Sequence, residues 1–172
     1  MSHIESRNGF KLLPPGEYQT CFGCSPKNVS GLHMKFFINE NRDSVVSWLS
    51  VPDHLCGWSN IVHGGIVSTM LDEAMGWAGL AILKRLVVSR TMSVDFLKPV
   101  FIGKEIRVEG KIGSIDNERK ATLQGCIYND NDEICAQSSS IVSLFTIESV
   151  KKMGVINENM LADLEQFLSS EI

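Results

Sequence analysis

The chain has 172 residues, 44% of them hydrophobic, and its 20 acidic and 16 basic residues give a formal net charge of -4. That length and apolar content suffice for one domain with its own core. An acidic balance with no dense Lys/Arg run argues against nucleic acid as a partner, and the longest uncharged apolar run, residues 74–83, is about half a membrane span, which argues against a membrane protein.

The N-terminus has no apolar signal core, so a soluble, cytoplasmic protein is expected. Five cysteines, an odd count, fit reduced thiols better than a disulfide framework. Cys21 and Cys24 form a CxxC in a segment that Pro14-Pro15-Gly16 and Pro26-Lys27-Asn28 mark as loop. No second CxxC or His pair follows at ligand spacing, and a structural zinc normally needs four ligands, so no metal is expected.

Further along, Leu32, Met34, Phe36 and Ile38 alternate as in a half-buried strand, and residues 44–51 give a second strand containing Trp48. Asn41-Arg42-Asp43 reads as their hairpin turn. Residues 61–79 open on His63-Gly64-Gly65 and continue as a helix that is apolar almost all round. One face collects Val67, Met70, Leu71, Ala74, Ala78 and Ile82, and the other the small or polar Ser68, Thr69, Asp72, Gly76 and Gly79. Glu73 points toward Trp77 and Thr69, as on a solvated rim. Four strands follow, over residues 88–97, 104–112, 119–128 and 134–146, with turns at 117–118 and 129–132. Met160, Leu161, Leu164, Phe167 and Leu168 have helical spacing, which predicts an amphipathic tail helix docked on the body or on a partner. His3 and His33 read as a mobile terminus and an outward strand position. The order predicts an α+β fold: an antiparallel sheet with one long helix against one face. The domain layout is a loop segment over residues 1–30, a body over 31–147 and a helical tail over 148–172.

Asp72 is the residue that most needs explaining. A carboxylate on an otherwise buried helix costs several kcal/mol unless it is paired or used. Upstream, two glycines let a ligand approach the backbone closely, and the free N–H groups of a helix start can bind a developing oxyanion. Gly64 and Asp72 are eight residues apart, about 12 Å along a helix, so one carbonyl cannot touch both within a chain. If they act on one group, Asp72 must meet the Gly64 turn of a second copy, which implies a dimer with paired sites.

His63-Gly64-Gly65 with Asp72 nine residues after the histidine resembles the hotdog-fold acyl-CoA thioesterases of the PaaI-like and 4-hydroxybenzoyl-CoA thioesterase group. The CFGC at Cys21 to Cys24, Gly31-Leu32-His33-Met34, Gly57-Trp58 and Phe96-Leu97-Lys98-Pro99-Val100 extend the likeness to residues 21–146. The resemblance implies hydrolysis of an acyl-CoA thioester without a cofactor. In that reading the Gly64 N–H polarises the thioester carbonyl, Asp72 of the partner subunit is general base or nucleophile, and His63 and Gly65 shape the turn. Ser89 matches a hydroxyl that helps hold the water. Gly57 departs from relatives that place Asn or Gln there. Asn60, Ser68 and Thr91 are the candidate substrate contacts, and Trp58, Met70, Met75 and Trp77 are candidate linings of the acyl pocket. The expected partner is a second copy, as a homodimer or a homotetramer built as a dimer of dimers. Two other functions fit the same groove: a non-catalytic acyl-CoA sensor, and a hydratase or dehydratase using His54 as base.

Overall fold

A helix that is apolar on nearly every side must be covered on nearly every side, and most of this chain is arranged to cover one helix. The computed structural model describes residues 9–170; His3 lies outside them. The central helix, α1, is Gly64–Ile82. Before it come β1 (Phe10–Leu12), β2 (Phe37–Asn39), β3 (Ser44–Ser50), a 3-10 turn (Asp53–Leu55) and the short hairpin β4 (Cys56–Trp58) and β5 (Ile61–Val62). After it come β6 (Leu86–Phe96), β7 (Glu105–Asn117), β8 (Lys120–Tyr128), β9 (Ile134–Phe145), α2 (Ile147–Met153) and α3 (Glu158–Ser169).

Seven strands form one antiparallel sheet in the order β1-β2-β3-β7-β8-β9-β6, the hotdog arrangement of a sheet wrapped around one long helix. The expected α+β class is the observed one. Its inner face presents Val45, Val108, Leu123, Ile127 and Val142, all sealed from solvent, to Met70, Leu71, Ala74 and Ala78 of α1. The outer face is polar: the Arg107 guanidinium lies 4.0 Å from the Tyr128 ring centre and pairs with Glu109 and Asp132. Alternation along each strand separates the two faces.

The approach of helix to sheet is closest where Gly110 of β7 stands opposite Gly125 of β8. A Cβ on Gly110 would lie 2.2 Å from the Ala74 carbonyl oxygen, so only a glycine lets α1 sit this deep. On its far side α1 is covered by the N-terminal segment and α3. Trp77 stacks on Phe36 at 5.1 Å between ring centres and meets Phe167 edge-on at 5.6 Å. Asn157 caps α3 by accepting the Met160 N–H at 2.9 Å.

Several elements differ from the sequence expectation. Residues 32–36 keep their alternating burial but are not ladder strand: the Leu32 and Met34 N–H groups donate to the Phe22 and Gly23 carbonyls of the preceding loop, at 2.8 and 2.9 Å. Alternation fixed which side chains are buried, not which backbone they pair with. His33 points outward as expected, but its φ of 51, a left-handed conformation, places it in irregular backbone rather than on a strand. β1, the β4–β5 hairpin and α2 were not anticipated; at three, three, two and seven residues they are too short to show a period. Gly79 is no open groove position, because Val87 of β6 fills the space beside it.

Gly110→Ala is expected to destabilise the fold by about 1–3 kcal/mol, since backbone rather than a flexible side chain must move. This outweighs the gain of about 0.4–1 kcal/mol from a stiffer unfolded chain. A urea midpoint unchanged or raised in the variant would show that the contact does not set the helix position.

Candidate functional site

The start of α1 is built by His63. Its backbone is extended (φ -60, ψ 135), and its ring Nδ1 accepts the Gly65 N–H at 2.9 Å, so histidine is the helix cap. An acceptor at Nδ1 leaves the proton of the neutral ring on Nε2. The turn is held from outside as well, by His63 N–H to the Leu55 carbonyl at 3.0 Å and Val62 N–H to the Val100 carbonyl at 2.9 Å. Gly65 thereby loses its N–H to the cap. Gly64, the first helical residue, has no acceptor for its N–H within the helix. It lines a hollow of about 560 Å³ with Gly57, Trp58, Phe96 and Leu97. Trp58 is 86% exposed, and Phe96 and Leu97 are also exposed, an unusual concentration of bare apolar surface around a polar turn.

Asp72 lies half-buried two turns along α1 in a different cavity, of about 930 Å³, between α1, β6, the N-terminal segment and α3. Its Oδ1 accepts a hydrogen bond from Ser89 Oγ at 2.6 Å. β6 places this serine through a bulge: the pairing with β9 steps from Ser89 opposite Val142 to Thr91 opposite Ile141, leaving Arg90 extra. Among the described residues Asp72 forms no ion pair. Within one chain, then, Asp72 and Ser89 are together, and Gly64 and His63 line a separate hollow.

Other candidates fall elsewhere. Ser68 Oγ donates to the Gly64 carbonyl at 3.0 Å, back along its own helix. Asn60 is exposed in the β4–β5 turn, with its carbonyl accepting the Ile102 N–H at 2.8 Å. Thr91 is exposed on β6, and its carbonyl accepts from Ser140 Oγ at 3.1 Å. Met70 and Met75 are sealed in the core and line neither cavity, whereas Trp77 lines the Asp72 cavity and Trp58 the Gly64 hollow. His54 is exposed in the 3-10 turn, and among the described residues no histidine lines the Asp72 cavity.

The sequence reading missed what stands next to Asp72. Glu73 is not on a solvated rim: Cys21 Sγ donates to its Oε1 at 3.1 Å, and Cys21, Cys24 and Glu73 have ligand atoms within 4.8 Å of one another. Burial, helped by Cys21, raises the Glu73 carboxyl to about 8. The Cys24 thiol holds Cys21 down to about 5, while the same contact and burial push Cys24 above the usual thiol range. The CxxC was visible in the chain; its carboxylate partner, 52 residues away, was not.

The thioesterase superfamily model matches residues 59–136, which hold the turn, α1 and the strands behind it. Acyl-coenzyme A thioesterase THEM4 of Xenopus laevis is 25% identical over 103 residues, 60% of this chain and 45% of that protein. The chain spans between 43% and 62% of the length of the three curated relatives it matches. A thioesterase from Haemophilus influenzae superposes with a TM-score of 0.63 at 19% identity, over 72% of this chain and 85% of that one. A Streptococcus mutans protein bound to acetyl-CoA superposes with a TM-score of 0.56 at 17% identity, over 60% and 82%. Residues 59–136 are thus similar in sequence to the thioesterase superfamily, and the chain has the hotdog fold of these solved thioesterase structures.

Proposed function

We propose that this protein hydrolyses an acyl-CoA thioester to the free acid and CoA. The observation that carries the reading is the Asp72 carboxylate, without an ion pair among the described residues, held by Ser89 at 2.6 Å and facing a cavity large enough for an acyl group. THEM4 relatives that are named acyl-CoA thioesterases, and the acetyl-CoA bound to a structural neighbour, support the substrate class.

In the proposed reaction the thioester carbonyl oxygen sits on the Gly64 N–H of one subunit, at the positive end of α1. Asp72 of the other subunit takes a proton from water as it attacks the carbonyl carbon, or attacks directly and is released by water from the resulting anhydride. Negative charge builds on the oxygen against the amide, and collapse expels the CoA thiolate, a good leaving group that needs little proton assistance. Ser89 orients the carboxylate, and His63 holds the turn. Acyl-CoA and water are the only reactants, with no cofactor.

The second subunit is a homodimer partner, alone or within a dimer of dimers. β6 supports this, being an eleven-residue strand at the end of the sheet with one edge unpaired among the described residues, and with Val88, Phe96 and the following Leu97 exposed. Long bare edges are normally paired or blocked. Among the described residues no helix is long and apolar enough to cross a membrane, and all five cysteines are free thiols; both support action in the cytoplasm.

Thiol release from a panel of acyl-CoAs tests the reaction. Asp72→Asn is expected to lower kcat by at least ~10²-fold with the fold intact. Ser89→Ala is expected to lower it by roughly tenfold, the worth of one hydrogen bond to a charged group. Hydrolysis unaffected by Asp72→Asn refutes the assignment, and acyl-CoA binding without release would make the protein a sensor.

A mixing experiment tests whether two chains build each site. Proline is favoured at the first helical position and His63 is already extended, so Gly64→Pro deletes the N–H without breaking α1. Unfolded and reassembled as an equal mixture, the two inactive variants Gly64→Pro and Asp72→Asn are expected to recover about a quarter of wild-type activity, because half the dimers are mixed and each mixed dimer has one intact site. No recovery in correctly folded mixed dimers would place the amide and the acid in one chain.

A further inference from the structure

We propose that Cys21, Cys24 and Glu73 form a zinc site that joins the N-terminal loop to α1 and opens toward the cavity holding Asp72. The three residues come from a loop and from the middle of a helix, yet their ligand atoms lie within 4.8 Å of one another. A tetrahedral zinc with metal–sulfur bonds of about 2.3 Å holds its sulfur donors roughly 3.8 Å apart, so no pair of these side chains has to close by more than about an ångström.

The surroundings are those of a built site. Ser25 N–H donates to the Cys21 carbonyl at 3.1 Å and Gly23 N–H to Cys21 Sγ at 3.3 Å, so the loop turns tightly around the first sulfur and brings the second to the same side. The Leu32 and Met34 N–H groups tie the loop from behind. Gly23 lies directly on the Glu73 side chain: a Cβ there would stand 2.3 Å from Glu73 Cγ, so any other residue would displace the Glu73 side chain or the loop. Cys24 is buried, and Cys21 and Glu73 are half-buried. Gln19 Oε1, which accepts from Cys24 Sγ at 3.4 Å, stands at the rim.

Two sulfurs and one carboxylate suit zinc better than magnesium or calcium, which prefer oxygen ligands throughout. Iron–sulfur clusters need four cysteines, and Cys56, Cys126 and Cys135 are not in this group. Three protein ligands leave a fourth position for water on the cavity side, where Cys21, Cys24, Glu73 and Asp72 all contribute to the wall. The inference is independent of hydrolysis.

The test is metal binding by the full chain, stripped with a chelator and kept reduced with a phosphine. Added cobalt is expected to give a thiolate-to-metal charge-transfer band saturating at one ion per chain, and an equivalent of zinc is expected to abolish it. Cys21→Ser and Cys24→Ser should lose the band. Glu73→Gln, which keeps both sulfurs and the side-chain volume, should weaken binding by at least roughly tenfold. Cys56→Ser, at an exposed thiol outside the group, should bind as wild type. Absence of the band in the wild-type chain overturns the proposal. So does a band that survives in the Cys21 and Cys24 variants, or one that Glu73→Gln leaves at full affinity.

Discussion

α1 touches the sheet backbone to backbone, with the Ala74 carbonyl resting over Gly110, and nearly every other feature follows from that depth. A helix sunk this far into a concave sheet is sealed by β3, β7, β8 and β9 on one side. The chain then has only the opposite strip to cover with Leu13, Phe36 and Phe167. Interior packing leaves little slack, so the rotation of α1 is set by the contact and not by its own side chains. That rotation turns Asp72 to the β6 edge of the sheet and Glu73 to the N-terminal loop, where each polar group finds a partner, and keeps Met70 and Met75 inside.

The two ends of the same helix strip carry different chemistry. At the start, a histidine cap consumes the N–H of the second glycine and leaves that of the first unused by the helix. Two turns on, a serine from the edge strand holds a carboxylate that forms no ion pair among the described residues. The helix rise keeps them apart within one chain, and each faces its own hollow. The apolar residues left bare around the first hollow, together with the open edge of β6, are what a second copy covers in the proposed dimer.

Glu73 shows how adjacent residues on one helix part company. Asp72 turns to β6 and a hydroxyl; Glu73, about 100° further round, turns to the N-terminal loop and two thiols. Burial favours the protonated carboxyl in the second environment, and the hydrogen bond with Cys21 favours it further. The loop has almost no regular structure of its own, so its position depends on the hydrogen bonds to residues 32–34 and on its contact with Glu73.

The alternation in β7, β8 and β9 and the near-continuous apolar run of α1 determined the class of fold from the chain alone, because those periods leave one way to bury the surface. The His-Gly-Gly turn and the offset of Asp72 marked the residues that need explaining, since a helix start and a buried acid are costly or useful wherever they occur. Tertiary structure alone decided which neighbours they have. No period shows that residues 32–36 pair with a loop, that a bulge at Arg90 delivers Ser89 to Asp72, or that Glu73 meets the CxxC. The last two contacts join residues 17 and 52 positions apart, and they exist only once the sheet has set the depth and rotation of the helix that carries Asp72 and Glu73.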